Sequence, residues 1–396
     1  MSIPPAPSPR DRWLPEPYRL LFPLGAFYAL VGAGLWPLQV WGALPHPASL
    51  HAALMIQGFQ QCFVLGFFLT AMPAFTRGPR AHPVEVFTAL ALMMAFGVLA
   101  AAGAVRWAEI SYAASIVLLG ASASRRVLAS RSAPPEEFLF VLLGFLLGLA
   151  GSVAMAASGA VLEGARLGIR LVSLGMVLSL VLGFGGLLVP TFTLMREPLA
   201  VPGIAKAHER GPRRRLYLPL AILLAAAFVA DAMGRAALGA WIRALAATAL
   251  VLLVWKIYRS PGRRDAVSFA IWSAGWLVVV GLLAAAAAAP YAVAAYHVVM
   301  LGGFGFLTVG IATRVVASHG GHGIERERQV LTPAVLAPLA LALVARLAAE
   351  APGVRNPMLG ASALLWMLAW LGWAWGAVPA IVTRARPAPT VQIRGL

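Results

Sequence analysis

The chain has 396 residues, of which 61% are hydrophobic and 11% charged, and a formal net charge of +17. A soluble domain has about a quarter charged residues, so this composition excludes a water-soluble globular protein. The basic residues are spread over many short loops, which argues against a nucleic-acid-binding surface. Apolar runs of about 20 residues recur without the alternation of barrel strands. We therefore predict an all-α polytopic membrane protein embedded in a lipid bilayer.

The apolar runs predict about twelve transmembrane helices in a single integral membrane domain over residues 1–396. The division between the third and fourth segments rests only on a turn at residues 103–106. Outside the membrane we expect a Pro-rich tail over 1–19, a basic loop over 195–215 and a tail over 384–396. The predicted segments are 20–42, 49–73, 84–103, 105–123, 136–158, 169–194, 216–235, 240–258, 266–288, 291–316, 332–349 and 358–383.

The distribution of basic residues predicts the orientation. Most of the 31 lysines and arginines lie in the two tails and in the loops that follow even-numbered segments. The positive-inside rule therefore places both termini in the cytoplasm. The N-terminal tail lacks the apolar stretch of a cleaved signal peptide, so the first segment is expected to act as the signal anchor. The basic loop 195–215 either binds anionic lipid head groups or anchors the topology, and we favour the anchor.

Segments 2, 6 and 10 share a weak motif. Segment 2 ends GFFLTAMPAFT (Gly66–Thr76), and segment 6 ends GFGGLLVPTFT (Gly183–Thr193). Segment 10 has Gly303 and Thr313 at the same spacing, with Gly310 in the place of the proline. Because these segments are four apart, the motif predicts three pseudo-repeats of four helices. Gly and Pro are frequent in membrane helices, so chance recurrence is the alternative.

Two histidines lie at similar predicted depth in the outer half of the membrane. His51 lies near the outer end of segment 2, and His297 near that of segment 10. Ionisable side chains inside lipid indicate a functional site by default. Two imidazoles on different helices can hold a haem iron between them, with the helix bundle enclosing the apolar ring. The alternative is that each histidine only hydrogen-bonds a neighbouring helix or interfacial water.

Other polar residues lead to structural expectations. The amides of segment 2 are expected to form hydrogen bonds across the bundle or to line a polar cavity; they are Gln57, Gln60 and Gln61. Spacing along a helix predicts two intrahelical ion pairs, Asp231 with Arg235 and Glu109 with Arg106. Arg314, at the cytoplasmic end of segment 10, is expected to extend its charge to the interface.

The same segments resemble the NnrS family of membrane proteins. Segment 2, HAALMIQGF…GFFLTAMPAFT, resembles the family pattern WHAHEM-x-x-GF…GFLLTAVPNWTG. Segment 6, GGLLVPTFT, resembles GGRVIPAFT. Segment 10, HVVMLGGFGFLTVGIATRVVASHGGH, resembles HALTVGAIG…MMTRVSLGHTGR. The three motifs occur in the family order, and the resemblance covers nearly the whole chain.

The resemblance implies a haem- and copper-containing protein of the bacterial inner membrane, linked to the response to nitric oxide and nitrosative stress. It assigns His51 to the first histidine of HAHEM and His297 to the histidine that opens the last motif. It also matches Pro190, Arg314 and His319, the last without a known role.

This chain departs from the family pattern where copper would be expected. Ala53 and Leu54 occupy the positions of the second histidine and the glutamate of HAHEM, and Leu187 that of the arginine in GGRV. Losing one imidazole and one carboxylate beside His51 weakens a copper site there. Haem b is therefore the cofactor that we expect, coordinated through His51 and His297, and copper is doubtful.

The leading hypothesis is an NnrS-like, haem-binding membrane protein of the nitric oxide or redox stress response, not a turnover enzyme. One alternative is a haem-free transporter of a small solute that uses the glutamine-rich face of segment 2. A terminal oxidase or nitric oxide reductase is disfavoured. The plan resembles the catalytic subunit of haem–copper oxidases, but their copper-ligating histidines on helices 6 and 7 are missing from this chain.

Overall fold

The computed structural model describes residues 16–76, 78–129, 134–158, 162–194 and 214–383, and of residues 74, 162, 163 and 214 only the backbone. Most of the predicted tails 1–19 and 384–396 and of the basic loop 195–215 therefore lies outside the described residues. The described part contains thirteen helices and no strand. They are α1 Pro17–Val40, α2 48–76, α3 Pro83–Ala101, α4 Val105–Ala129, α5 Phe138–Ser158, α6 162–194, α7 Arg214–Ala232, α8 Ala236–Trp255, α9 Ala266–Ala287, α10 Ala289–His319, α11 Gly323–Val330, α12 Pro333–Ala348 and α13 Arg355–Val382.

The prediction of an all-α polytopic membrane protein is confirmed. Each of the twelve predicted segments coincides with a helix, and the short α11 is the additional one. By length and composition, ten helices of the described chain can cross a membrane, or eleven if α11 and α12 form one bent span. The predicted turn between the third and fourth segments is present between α3 and α4. Gly103 adopts a φ of +72° there, a conformation in which a side chain would be strained.

Side-chain contacts place the two ends of the described chain on the same side of the bundle. The Arg19 guanidinium, in the first turn of α1, donates to the main-chain oxygens of Ile381 and Thr383 at the end of α13. An even number of crossings is therefore required between them. An even number agrees with the ten candidate spans as well as with the twelve predicted ones, and not with eleven.

The helices pack in an order that follows the predicted groups of four. Within the groups, α1 packs on α2, α5 on α6 and α9 on α10, and the hairpins α3–α4, α7–α8 and α12–α13 are tightly paired. Contacts of α4 with α5, α8 with α9 and α13 with α1 join the groups into a closed ring. Helices α2, α6 and α10 are the most buried, and α2 contacts both of the others at the centre.

The three central helices also share a backbone irregularity. Each contains a π-helical segment: Ala53–Gln60 in α2, Leu171–Val177 in α6 and Val298–Phe304 in α10. A fourth, shorter segment ends α8 at Val251–Trp255. A π-helical turn inserts an extra residue into the helix and is often found at functional sites.

The π segments give a register for comparing the central helices. Gly66 and Gly183 lie thirteen and twelve residues after the first residue of their π segments, and in α10 Gly310 lies twelve residues after its own. The sequence motif instead aligned Gly66 with Gly303, which lies two helical turns before Gly310. In the folded chain, Gly310 therefore corresponds to these glycines and not to the proline.

Candidate functional site

His51 is held in one orientation by the neighbouring helix. It lies in the first turns of α2, two residues before the π segment. Its Nδ1 lies 2.9 Å from the main-chain oxygen of Gly32 in α1. Because a carbonyl oxygen can only accept, Nδ1 carries the proton and donates it. The lone pair of the imidazole is then on Nε2, which is the form in which histidine binds metals.

His297 has the same arrangement on α10. It directly precedes the π segment Val298–Phe304, and its Nδ1 lies 2.7 Å from the main-chain oxygen of Val293, one turn earlier. The same reasoning assigns the proton to Nδ1 and the free lone pair to Nε2. Both histidines therefore present an unused nitrogen ligand.

The fold brings the two histidines together, although 246 positions separate them in the sequence. They are close enough to interact electrostatically with each other. Both residues are partly buried. The predicted outer side of the bundle therefore holds two nitrogen ligands near each other, one on α2 and one on α10.

Arg346, on α12, is the charged residue of this site. It is 5% exposed and its Nη1 donates to Glu350 Oε1 at 2.8 Å. Its charge acts on both His51 and His297. Arginine stays charged and carries five donors, so Arg346 can donate to a further anionic group in addition to Glu350. Sequence reasoning missed this residue, since nothing in the spacing of α12 connects it to either histidine.

An aromatic side chain covers His51 on the loop side. The indole of Trp36, in α1, lies edge-on to the His51 ring with centroids 5.5 Å apart. It meets the ring of His46 in the same way at 5.4 Å. His46 itself is exposed in the loop between α1 and α2. Trp36 thus separates the internal histidine from the loop histidine.

A comparison of the sequence with models of known protein families identifies the family of this chain. The sequence model of the family described as NnrS protein matches residues 12–386, nearly the whole chain. The chain belongs to the NnrS family. No curated protein matches it.

The other residues that match NnrS motifs lie away from the histidine pair. His319 is 22 positions from His297 at the opposite end of α10, about 33 Å along a helix. Its Nδ1 lies 3.7 Å from Glu16 Oε2, and its ring contacts Tyr18. Pro190 lies inside α6 and contributes no ligand atom.

Arg314, expected to extend its charge to the interface, forms an ion pair with another helix. Its guanidinium is ion-paired with Glu327 of α11 and lies 5.3 Å above the ring of Phe192 from α6. Arg263 extends the same network to Glu327 at 3.9 Å. The Glu327 carboxylate can replace water as the partner of the Arg314 charge. Arg314, which matches the NnrS motif, therefore connects α10 with α11 and α6 at the predicted cytoplasmic side.

The donor set beside His51 does not form a copper site of the NnrS pattern. Ala53 and Leu54 have no ligand atoms, and Leu187, 1% exposed, packs in the core. Among the described residues, no group of three or more His, Cys, Asp or Glu side chains could hold a metal ion. Two imidazoles match the axial ligation of haem better than a tetrahedral or square metal site.

The expectation of amides bonding across the bundle holds in the structure. Gln57 Nε2 donates to Glu109 at 2.8 Å, and Gln61 Nε2 donates to Ser115 at 2.9 Å, both on α4. Gln60 Oε1 accepts from Thr308 of α10 at 3.2 Å. These bonds fasten α2 to its two neighbours.

Both predicted intrahelical ion pairs are wrong. Asp231 bonds Arg243 of α8 at 2.6 Å, because α7 ends at Ala232 and Arg235 falls in the following turn. Glu109 points into the bundle, whereas Arg106, on the first turn of α4, is exposed. Helical spacing fails for Asp231 because α7 ends before Arg235. It fails for Glu109, although Arg106 lies in the same helix, because the carboxyl group bonds to α2 and α5 instead.

Proposed function

We propose that this NnrS-family membrane protein binds b-type haem between His51 and His297 and serves in the response to nitric oxide or related redox stress. The observation that supports the proposal is the pair of imidazoles whose Nδ1 atoms donate to main-chain carbonyls. This arrangement leaves the Nε2 atoms of two nearby histidines, on α2 and α10, free to bind a ligand. A merely structural histidine has no need of an unused lone pair in an apolar interior.

The residues around the pair fit such a ligand. Carbonyl oxygens of Gly32 and Val293 fix the tautomers and strengthen the imidazoles as ligands. Arg346 would offset the negative charge of the haem carboxylates, and Glu350 holds its guanidinium in place. When bound, haem would supply one-electron redox chemistry and an iron that can bind nitric oxide. The protein's contribution is to bind, orient and shield the group from water.

The absorption spectrum of the detergent-purified protein, expressed with ample haem, tests the proposal. We expect a Soret band that is lost in both His51→Ala and His297→Ala. His46→Ala and His319→Ala are matched controls, because they remove an imidazole outside the histidine pair, and should keep the band. A colourless wild-type protein, or a band that survives both site substitutions, would contradict haem binding.

The stress role needs a separate measurement. Cells that depend on this chain for growth with a nitric oxide donor should be rescued by the wild type and by His46→Ala, but not by His51→Ala. Equal rescue by the wild type and His51→Ala would separate any stress function from the histidine pair.

A solute transporter remains the second hypothesis, and the structure supports it less. Its expected binding face consisted of the three amides of α2, but these donate to or accept from partners on α4 and α10. Uptake of a solute by the haem-free protein reconstituted in vesicles would favour the transporter.

We also propose that the protein lies in a bacterial-type inner membrane with both termini in the cytoplasm. The contact of Arg19 with the end of α13 supports a common side for the two ends, and the positive-inside rule selects the cytoplasm. A fluorescent reporter that matures only in the cytoplasm should be bright when fused to the C-terminus. A dark fusion with normal expression would reverse the orientation.

A further inference from the structure

Glu109 is a buried carboxyl group in the membrane without a basic partner. It lies in the first turns of α4 and is 4% exposed. Its Oε2 lies 2.8 Å from Gln57 Nε2 of α2 and 2.9 Å from Ser152 Oγ of α5. No arginine, lysine or histidine pairs with it in the part of the chain that the structure describes. The other buried acid of this side, Asp231, has Arg243 at 2.6 Å.

Ser152 makes two short contacts with Glu109. Ser152 Oγ lies 2.7 Å from the main-chain oxygen of Glu109 as well as 2.9 Å from its Oε2. A hydroxyl group has a single proton to donate. If Ser152 donates to the main-chain oxygen, its contact with Oε2 is a full hydrogen bond only when the carboxyl group donates to Oγ. Both short contacts are satisfied together when Glu109 is a neutral acid.

Among the described residues, no charged group acts on Glu109 from the helices that pack against it. On α4 itself, Tyr112 gives its hydroxyl to Met176 Sδ of α6 at 3.3 Å, and Ser111 donates to the main chain of α3. The contacts from α2 and α5 are the amide and the hydroxyl already described. An isolated carboxylate in such an interior costs several kcal/mol, whereas the neutral acid needs only its hydrogen bonds.

We propose that Glu109 is a proton-binding site in the predicted outer half of the membrane, and that the group carries its proton at neutral pH. The ligand of this carboxyl group is a proton and not a metal cation. Because Gln57 lies in the π segment that begins two residues after His51, the site is tied to the same helix as the histidine pair. The proposal does not depend on haem, so a haem-free preparation is a valid sample.

Infrared difference spectroscopy of the full-length protein in lipid nanodiscs tests the proposal. A protonated carboxyl has a C=O stretch at higher frequency than the bands of a carboxylate, and the stretch shifts in deuterated water. The spectrum of wild type minus Glu109→Gln at neutral pH should show the protonated band. Glu85→Gln is the matched control, because Glu85 is ion-paired with Arg125 at 2.7 Å and should contribute carboxylate bands instead.

Ser152→Ala keeps the acid and provides a second measurement if Glu109→Gln does not fold. Removing the acceptor hydroxyl should shift the protonated band to higher frequency without abolishing it. Carboxylate bands in the Glu109→Gln difference spectrum, or a Ser152→Ala spectrum identical to wild type in this region, would overturn the proposal.

Discussion

Helix α6 is built like α2 and α10 but has an arginine where they have histidines. All three are central, and each contains a π segment. In α10 the residue before that segment is His297, and in α2 His51 comes two residues before it. In α6 the residue before the segment is Arg170. We call the three groups of helices the first unit (α1–α4), the second unit (α5–α8) and the third unit (α9, α10, α12 and α13). The π segment is therefore common to the three units, whereas histidines beside it occur only in the first and third.

The second unit uses the same position for an ion cluster. Arg170 Nη1 lies 4.0 Å from Asp231 Oδ1, and Arg243 Nη1 lies 2.6 Å from Oδ2. Arg243 is also 4.9 Å above the ring of Phe228. At the first and third units Arg346 also has a carboxylate partner, Glu350 at 2.8 Å, but it lies near two imidazoles as well. The difference fits the proposal that the first and third units bind the ligand, whereas the ion cluster of the second unit stabilises the bundle.

Breaking the ion cluster should have the largest effect on stability. Asp231→Asn leaves the buried Arg243 without its carboxylate, and loss of one partner of a buried pair costs about 3–5 kcal/mol. Thermal unfolding in detergent should show a clearly lower midpoint, while protein that remains folded keeps its Soret band. Arg235→Ala is the control, because its side chain is outside the cluster and its effect should stay within about 0.5 kcal/mol. Equal losses for the two variants would refute the assignment of Arg243 as the partner.

A glycine-to-alanine series tests whether the units are equivalent in packing. A Cβ at Gly183 of α6 would lie 2.9 Å from the main-chain oxygen of Glu137, which cannot move without its helix. A Cβ at Gly310 of α10 would meet Ile271 Cγ1 at 2.9 Å, an atom of a side chain and not of the main chain. Gly183→Ala should therefore cost about 1–3 kcal/mol and Gly310→Ala less. A lower thermal unfolding midpoint for Gly310→Ala than for Gly183→Ala would contradict this expectation. It would show that α9, which contacts Gly310, yields less than the backbone that contacts Gly183.

Much of the fold could be predicted because lipid imposes a simple rule on the sequence. Twenty apolar residues must form a helix, so even the division at Gly103 was correct. The hydrogen bonds of the glutamines in α2 followed from the same rule, since a buried amide needs a partner. No comparable rule predicts a π segment. The sequence motif therefore aligned α10 with α2 and α6 at Gly303, whereas the π segments align them at Gly310.

The candidate site could be predicted only where the polar residue itself is unusual. His51 and His297 stood out because imidazoles are rare in lipid spans, and their similar depth followed from the topology. Arg346 did not stand out, because an arginine near a helix end is explained equally well by the interface. The partners of Asp231 and Glu109 depend on which helix packs alongside, and that information is not local.

Introducing a histidine into the second unit tests whether position alone makes a site. Arg170→His places an imidazole directly before the π segment of α6, as His297 is placed in α10. We expect no additional haem, because Asp231 and Arg243 already satisfy each other and no second imidazole is at hand. The ratio of Soret absorbance to protein should stay at the wild-type value. Stability should fall by less than about 1 kcal/mol, since the Arg170 side chain is 40% exposed. A higher ratio would mean that an imidazole directly before a π segment is sufficient to bind haem.

The smallest effect is expected at the opposite end of α10, where His319 meets Glu16. Burial by itself raises the pKa of Glu16, but the His319 hydrogen bond and charge, with Arg80 and Arg19, lower it overall below the ordinary 4.5. A carboxyl group with a lowered pKa in the folded state stabilises the protein above its unfolded pKa. That contribution is lost as the pH falls through the folded value. Acidification below about pH 4.5 should therefore lower the unfolding midpoint of the wild type more than that of Glu16→Gln. Because this pair is far from the histidines, the Soret band at neutral pH should be the same in both proteins, and a variant that lost the band would link the two ends of α10.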